Sequence, residues 1–214
     1  MKRVAIIDYQ LGNLFSVQHA CKAVGLAGEL TSDPTDLAHA DGLILPGVGA
    51  FADAMQNLHS LGLYEPILEF VRSGKPFMGV CLGMQLLFDE SEEFGISPGL
   101  GLIPGRIRKF AADGAAFPEK VPQIGWNRIA PPLPGAWETS PLKGMAEGAF
   151  MYFVHSYYAD PADEAHVLAW TTYGPQRFCS AVQKDNIFAT QFHPEKSAAQ
   201  GVRIYKTWSQ HLYS

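Results

Sequence analysis

The stretch Gly79-Val80-Cys81-Leu82-Gly83 constrains this chain more than any other. It follows an apolar run, Pro76 to Val80, and precedes a helical pattern, Leu82 to Phe88. A cysteine between glycines at a strand-to-helix turn predicts a nucleophile elbow. The turn is tight, and glycine leaves room for backbone on both sides. A helix starting there would aim its free N–H groups and the positive end of its dipole at the sulfur, favouring the reactive thiolate. The pentapeptide alone also fits a buried cysteine at a strand end, because unpaired cysteines usually pack as small hydrophobes. The remainder of the chain decides between the two.

An elbow needs a sheet to stand on. Val4 to Asp8 is an apolar run closed by an acid, the pattern of a buried parallel strand. Leu14, Val17, Cys21 and Val24 then recur at helical spacing up to Gly25, which places Cys21 on a core stripe. Glu29 to Ser32 reads as a second strand, and Asp33-Pro34 as an N-cap followed by proline at the first helical position. Gly42 to Leu45 is a third strand, running into Pro46-Gly47-Val48-Gly49. Helices are expected over 51–59 and 64–72, with Gly74 as a stop. Such alternation predicts an α/β fold with a doubly wound, mostly parallel central sheet flanked by helices. Ligands of these sheets sit beyond the carboxyl ends of the strands, so Asp8, the 46–49 turn and Cys81 belong to one rim.

The second half changes character. Residues 99–105 are rich in glycine and proline, and 111–120 and 131–141 read as loops. Between those loops lies Pro122-Gln123-Ile124-Gly125-Trp126-Asn127. Residues 151–158 and 166–172 are rich in strand formers, and 178–183 with 187–192 suit a hairpin across Lys184-Asp185-Asn186. A last helix over 198–212 would bury Val202, Tyr205, Trp208 or Ser209, and Leu212. No repeat and no linker interrupts the chain. A single domain over residues 1–214 is expected, with the β-rich half packed on the first sheet.

Composition narrows the function classes. The 214 residues are 47% hydrophobic, enough for one full core. The net charge of −5, without a basic run, argues against nucleic-acid and anionic-membrane partners. No stretch is long and apolar enough for a membrane span, and the start lacks the pattern of a signal peptide, so a cytoplasmic protein is expected. Three widely spaced cysteines, Cys21, Cys81 and Cys179, form neither a disulfide framework nor a zinc site. No metal and no cofactor is expected.

A thiol nucleophile requires a base, and the base an acceptor on its other nitrogen. His19, His39, His59 and His211 fall on helix surfaces or ends and His166 starts a strand, leaving His155 and His193. Pro194 biases His193 toward extended backbone, where residues two apart point the same way. His193 and Glu195 therefore project to one side, with the carboxylate placed to hold the imidazole. The elbow offers the Leu82 N–H to a developing oxyanion, and the two glycines of the 46–49 turn let a second peptide reorient there.

These residues resemble the class I (triad) glutamine amidotransferases: Gly79-Val80-Cys81-Leu82-Gly83-Met84-Gln85 together with His193-Pro194-Glu195. Within that group the chain is similar to the glutaminase subunits of imidazole glycerol phosphate synthase. The matching stretches are 8–14, 45–51, Gly125-Trp126-Asn127, 152–157 and 192–197, so the likeness covers essentially the whole chain. It implies catalytic Cys81, His193 and Glu195, an oxyanion site from Val48 and Leu82, and glutamine held by Gly49, Gln85, Glu93, Ser156 and Tyr157. It also implies a partner, a (β/α)₈-barrel cyclase subunit forming a heterodimer through Asn13, Trp126, Tyr152 and Lys196. Ammonia would pass to that partner, which makes imidazole glycerol phosphate and an aminoimidazole carboxamide ribotide in histidine biosynthesis. Gln10 stands where such chains usually carry glycine, and Gln123 where histidine is frequent. Other readings stay open on sequence: a paralogous amidotransferase subunit feeding another synthase, as in surface-sugar biosynthesis, a non-catalytic scaffold subunit, or a free-standing γ-glutamyl hydrolase.

Overall fold

In the computed structural model, residues 2–110 and 117–213 are described. The alternating half forms β1 (Arg3–Ile7), α1 (Leu14–Ala23), β2 (Ala27–Thr31), α2 (Pro34–His39), β3 (Gly42–Leu45), α3 (Phe51–Ser60), α4 (Tyr64–Arg72) and β4 (Phe77–Val80). Asp33 caps α2 as its sequence predicts, accepting from the Thr35 N–H, with Pro34 at the first helical position. The hairpin also forms: β12 (Gln176–Lys184) and β13 (Ile187–Thr190) pair antiparallel.

The strands β2-β1-β3-β4-β13 run parallel in that order. The β-rich half then extends the same sheet. From β12 it continues through β10 (Tyr157–Pro161), β7 (Ile103–Lys109), β5 (Phe88–Ser91) and β6 (Ser97–Pro98), while β11 (Val167–Tyr173) pairs with β12. Among the described residues this makes an eleven-stranded sheet. A separate two-stranded ribbon joins β8 (Gln123–Arg128) to β9 (Phe150–His155). Residues 111–116 of the first expected loop lie outside the described residues.

Strand alternation splits the core in two. Ala5, Ile7, Leu43, Leu45 and Phe77 face α2, α3 and α4, packing on Leu37, Phe51, Leu58 and Ile67. Val4, Ile6, Ile44, Met78 and Val80 face α1 and α6 (Ala198–Gln210), packing on Val17, Cys21, Ile204, Tyr205 and Trp208. The sheet is thus covered on both sides, which is why its strands read as unbroken apolar runs. In α6 the buried stripe is Gly201, Ile204, Tyr205 and Trp208; Val202, expected inside, points outward at 37% exposure. The periodic set 201–204–205–208 fits the helix better, with Gly201 admitting the Pro194 carbonyl at the point of closest approach.

The helix after Cys81 is shorter than its sequence predicts. α5 is one turn, Leu82–Gln85, and the chain straightens so that Phe88 enters β5 beside β7. The two elbow glycines have separate reasons. A Cβ on Gly79 would press on Ala189 and Gly83, and one on Gly83 would land on the Leu45 carbonyl oxygen. Gly83→Ala should therefore cost at least the ~3 kcal/mol at the upper end of overpacking, read from urea unfolding of the two proteins. An unfolding midpoint equal to the parent's would mean the elbow tolerates a methyl there.

Candidate functional site

Two neighbouring parallel strands deliver the chemistry. β4 and β13 pair Val80 with Thr190, and the Cys81 N–H donates to the Thr190 carbonyl at 2.7 Å. Cys81 therefore leaves one strand, and Gln191 to His193 leave the other, at the same level of the rim. Cys81 adopts φ 56°, ψ −111°, a conformation that non-glycine residues rarely hold and that the tight turn imposes. As the first residue of α5, Leu82 has an N–H with no acceptor within the helix.

His193 is extended (φ −99°, ψ 96°), as Pro194 requires, and its Nδ1 lies 2.7 Å from Glu195 Oε1. Both side chains are 2% exposed. Nε2 has no hydrogen bond of full geometry, yet the Cys81 sulfur is close enough to be the strongest influence favouring the imidazolium. Burial opposes the charge on His193, but the sulfur and then Glu195 outweigh it and raise its pKa to about 10. The backbone of the base is fixed as well. His193 N–H donates to the Tyr152 carbonyl at 2.9 Å, and Tyr152 N–H donates to Ser197 Oγ at 3.0 Å. Ser197 Oγ in turn donates to the His193 carbonyl at 2.6 Å.

The other histidine left open by the sequence, His155, serves a different purpose. Its Nδ1 lies 2.7 Å from the Tyr157 carbonyl, which can only accept, so Nδ1 carries the proton. Burial pushes its pKa down to about 4, and its Nε2 lies 3.0 Å from Gln123 Oε1. The ring packs inside a cluster with Phe110, Phe153 and Phe178.

A cavity of about 230 Å³ opens beside the elbow. Cys81 and Leu82 line it together with Val48 and Gly49 from the 46–49 turn, Gln85 and Glu93, and Ser156 and Tyr157. Every residue singled out in the sequence for substrate or oxyanion contact is on its wall. Glu93 Oε2 accepts from the Phe51 N–H at 2.6 Å, which ties it to the start of α3. Tyr9, buried beneath the turn, donates to the Pro46 carbonyl at 2.7 Å and holds the turn against the elbow. Gly49 itself sits at φ +110°, in the region glycine enters at little cost. A larger recess of about 500 Å³ lies at the amino ends of the strands, by Lys2, Asp41, Lys75 and Asn186, away from Cys81.

The residues expected to face a partner share a rim beside His193. The β9 strand and α1 both pack on the turn Pro194–Lys196. That gathers Tyr152, Asn13 at the start of α1, and exposed Lys196. Trp126 meets Tyr152 edge to face, ring centroids 6.0 Å apart. Ile124, Trp126 and Phe150 on the β8–β9 ribbon are 64%, 53% and 49% exposed, so Trp126 is a surface aromatic rather than a core one. Gln10 takes φ +71°, a backbone conformation that glycine enters at little cost.

Cys21 and Cys179 are buried, and burial pushes the Cys21 thiol up to about 12 and that of Cys179 up as well, so neither competes as nucleophile. Gln191 escaped the sequence reading. It is fully buried, and its Nε2 donates to Cys81 Sγ at 3.8 Å. The rule that paired His193 with Glu195, applied one step back, marks residue 191 as sharing their side. A thiol, a base with its orienting carboxylate, free N–H groups and a small polar-walled cavity together suit acyl transfer from an amide through a thioester.

Comparisons with known proteins agree with that chemistry. A family model described as "Glutamine amidotransferase class-I" matches residues 5–207. The chain is 50% identical to "Imidazole glycerol phosphate synthase subunit HisH" of Syntrophotalea carbinolica, over 96% of this chain and 98% of that one. It is 47% identical to the protein of the same description from Geobacter sulfurreducens, over 98% and 99%. Among solved structures, "Crystal structure of glutamine amidotransferase" superposes with a TM-score of 0.73 at 18% identity, over 99% of both chains. "Structure of PurLQS from Thermotoga maritima" gives 0.72 at 18%, over 100% of this chain and 98% of that one. These two likenesses carry the fold. The matched span and the full-length identity settle the family: the chain belongs to the class-I glutamine amidotransferases and, within them, to the imidazole glycerol phosphate synthase HisH subunits.

Proposed function

We propose that this chain is the glutaminase half of an imidazole glycerol phosphate synthase, releasing ammonia from glutamine for a (β/α)₈-barrel cyclase subunit. The observation that carries this reading is the cavity that joins Cys81 and Leu82 to Gly49, Gln85, Glu93, Ser156 and Tyr157, with the His193–Glu195 pair behind the sulfur. The sulfur of Cys81 attacks the side-chain amide carbon of glutamine. The N–H groups of Leu82 and Val48 receive the oxyanion. His193, oriented by Glu195, takes the thiol proton and donates it to the departing nitrogen, and ammonia leaves. His193 then takes a proton from water, whose oxygen attacks the γ-glutamyl thioester, and passes it to the departing sulfur, giving glutamate and the restored thiol. Gln85, Ser156, Tyr157 and Gly49 hold the substrate's α-groups, and the Glu93 oxygen not engaged by Phe51 faces its ammonium. Asn13, Trp126, Tyr152 and Lys196 form the rim that meets the cyclase. The exposed Ile124, Trp126 and Phe150 supply the apolar area such a contact buries.

Glutamate release should be slow from the chain alone and rise at least tenfold with the cyclase and a nucleotide ligand bound, because the glycine-containing turn at 46–49 is free to reset its peptide. Equal rates in the two states would remove the coupling. Cys81→Ser should abolish glutamine-dependent synthesis by the complex while ammonia-dependent synthesis continues. Loss of both activities would make Cys81 structural.

The His193–Glu195 pair also has a pH signature. A histidine whose pKa rises from 6.5 to about 10 on folding adds stability that is complete below about pH 6.5 and is lost as pH climbs through 10. The melting-temperature deficit of Glu195→Gln should accordingly be largest near pH 6 and shrink toward pH 10. A deficit that stays constant with pH would mean that the pair carries no charge in the folded chain.

A further inference from the structure

The short α5 leaves a question about the sulfur. A single turn, Leu82–Gln85, supplies little dipole, so negative charge on Cys81 Sγ needs another source of stabilisation. Gln191 is the polar side chain that reaches it. Its amide is 3.8 Å from Sγ through Nε2, within the longer range of bonds to sulfur, and the whole residue is buried. The backbone of Gln191 is fixed by its N–H, which donates to the Ser180 carbonyl at 2.9 Å.

Which end of that amide meets the sulfur follows from one backbone carbonyl. The Tyr157 carbonyl can only accept, so the Gln85 side chain lying 3.0 Å from it must present its NH₂ group there. The same Gln85 nitrogen is 3.0 Å from Gln191 Oε1, so its second N–H is given to Gln191. Gln191 must then turn its oxygen toward Gln85 and its own NH₂ toward Cys81. Reversing either amide would set two acceptors against each other in a buried place, at the cost of an unmet polar group. The relay Tyr157–Gln85–Gln191–Cys81 therefore ends on the sulfur as a donor, which favours charge there.

We propose that Gln191 is a catalytic donor for this site, stabilising the Cys81 thiolate, and that Gln85 sets its orientation from the substrate cavity. The proposal rests on Cys81 being the nucleophile. The titratable groups around the sulfur are His193 behind it, Tyr9 beneath the 46–49 turn, and His155, Tyr157 and Glu93 on the cavity wall. His155 is neutral and both tyrosines keep their protons; His193 and Gln191 draw charge onto Sγ, against the Val154 carbonyl 3.9 Å away, which accepts from the thiol.

The test uses iodoacetamide on the full chain, with alkylation of the Cys81 peptide followed by mass spectrometry from pH 6 to 10. Gln191→Met keeps the volume and removes the donor. Its alkylation rate should fall about tenfold at pH 7 and match or exceed the parent's at pH 10. Rates like the parent's at pH 7, or a slowing of equal size at every pH, would overturn the proposal. Gln191→Glu keeps the acceptor for Gln85 and turns an oxygen to the sulfur. It should be slower than Gln191→Met at pH 7, and it carries the test alone if the methionine variant does not fold by circular dichroism; a parent-like rate overturns the proposal there too. The two readings fail separately. Glutamine hydrolysis that survives Cys81→Ser removes the nucleophile, whereas a flat alkylation profile removes only the role of Gln191.

Discussion

The parallel pairing of β4 with β13 governs this molecule. Cys81 and His193 come from segments more than a hundred residues apart, yet both leave neighbouring paired strands. The register that sets Val80 against Thr190 brings both strands to the rim together, and the bond from the Cys81 N–H to the Thr190 carbonyl extends that pairing one residue beyond β4. Site precision is thereby inherited from sheet geometry, which is stiff, rather than from connecting chain. The apolar layers on both faces keep the two strands central.

Around that pairing the polar groups are arranged so that each has one available role. His155 is held neutral by burial, and so is removed from acid–base work although it lines the cavity. Tyr9 spends its hydroxyl on the 46–49 turn. Glu195 is committed to His193. Of these groups His193 is the one left to transfer a proton beside the sulfur, a division of labour among buried groups that differ chiefly in their neighbours.

Much of this was legible in the sequence because it rests on local rules. The apolar runs of β1, β3 and β4 read directly as buried parallel strands, and Asp33-Pro34 read as the start of α2. The extended backbone of His193 followed from the restriction that proline imposes on its predecessor, but Glu195 reaches the ring from a 3-10 turn, Pro194–Lys196, rather than from the extended chain that the spacing predicted. Other features depended on distant packing. The early end of α5 is decided by β7, which recruits Phe88 into a strand although its spacing continues a helix. The outward turn of Val202 is decided by where α6 touches Pro194. Gln191 carried a signal in its spacing, but its partner Gln85 lies across the sheet, and the direction of the amides follows from a carbonyl on a third strand.

The hydrogen-bonded loop of Tyr152, His193 and Ser197 has a mechanical consequence. Tyr152 belongs to a ribbon outside the main sheet, and its backbone is clasped to the backbone of the base on both its N–H and C=O sides. The nucleophile hangs from a different support, the central strand β4. The ribbon is thus joined to both sides of the site, through the backbone to the imidazole and through the Val154 carbonyl, 3.9 Å from Sγ, to the sulfur, so its exposed outer face is a surface in direct mechanical contact with both.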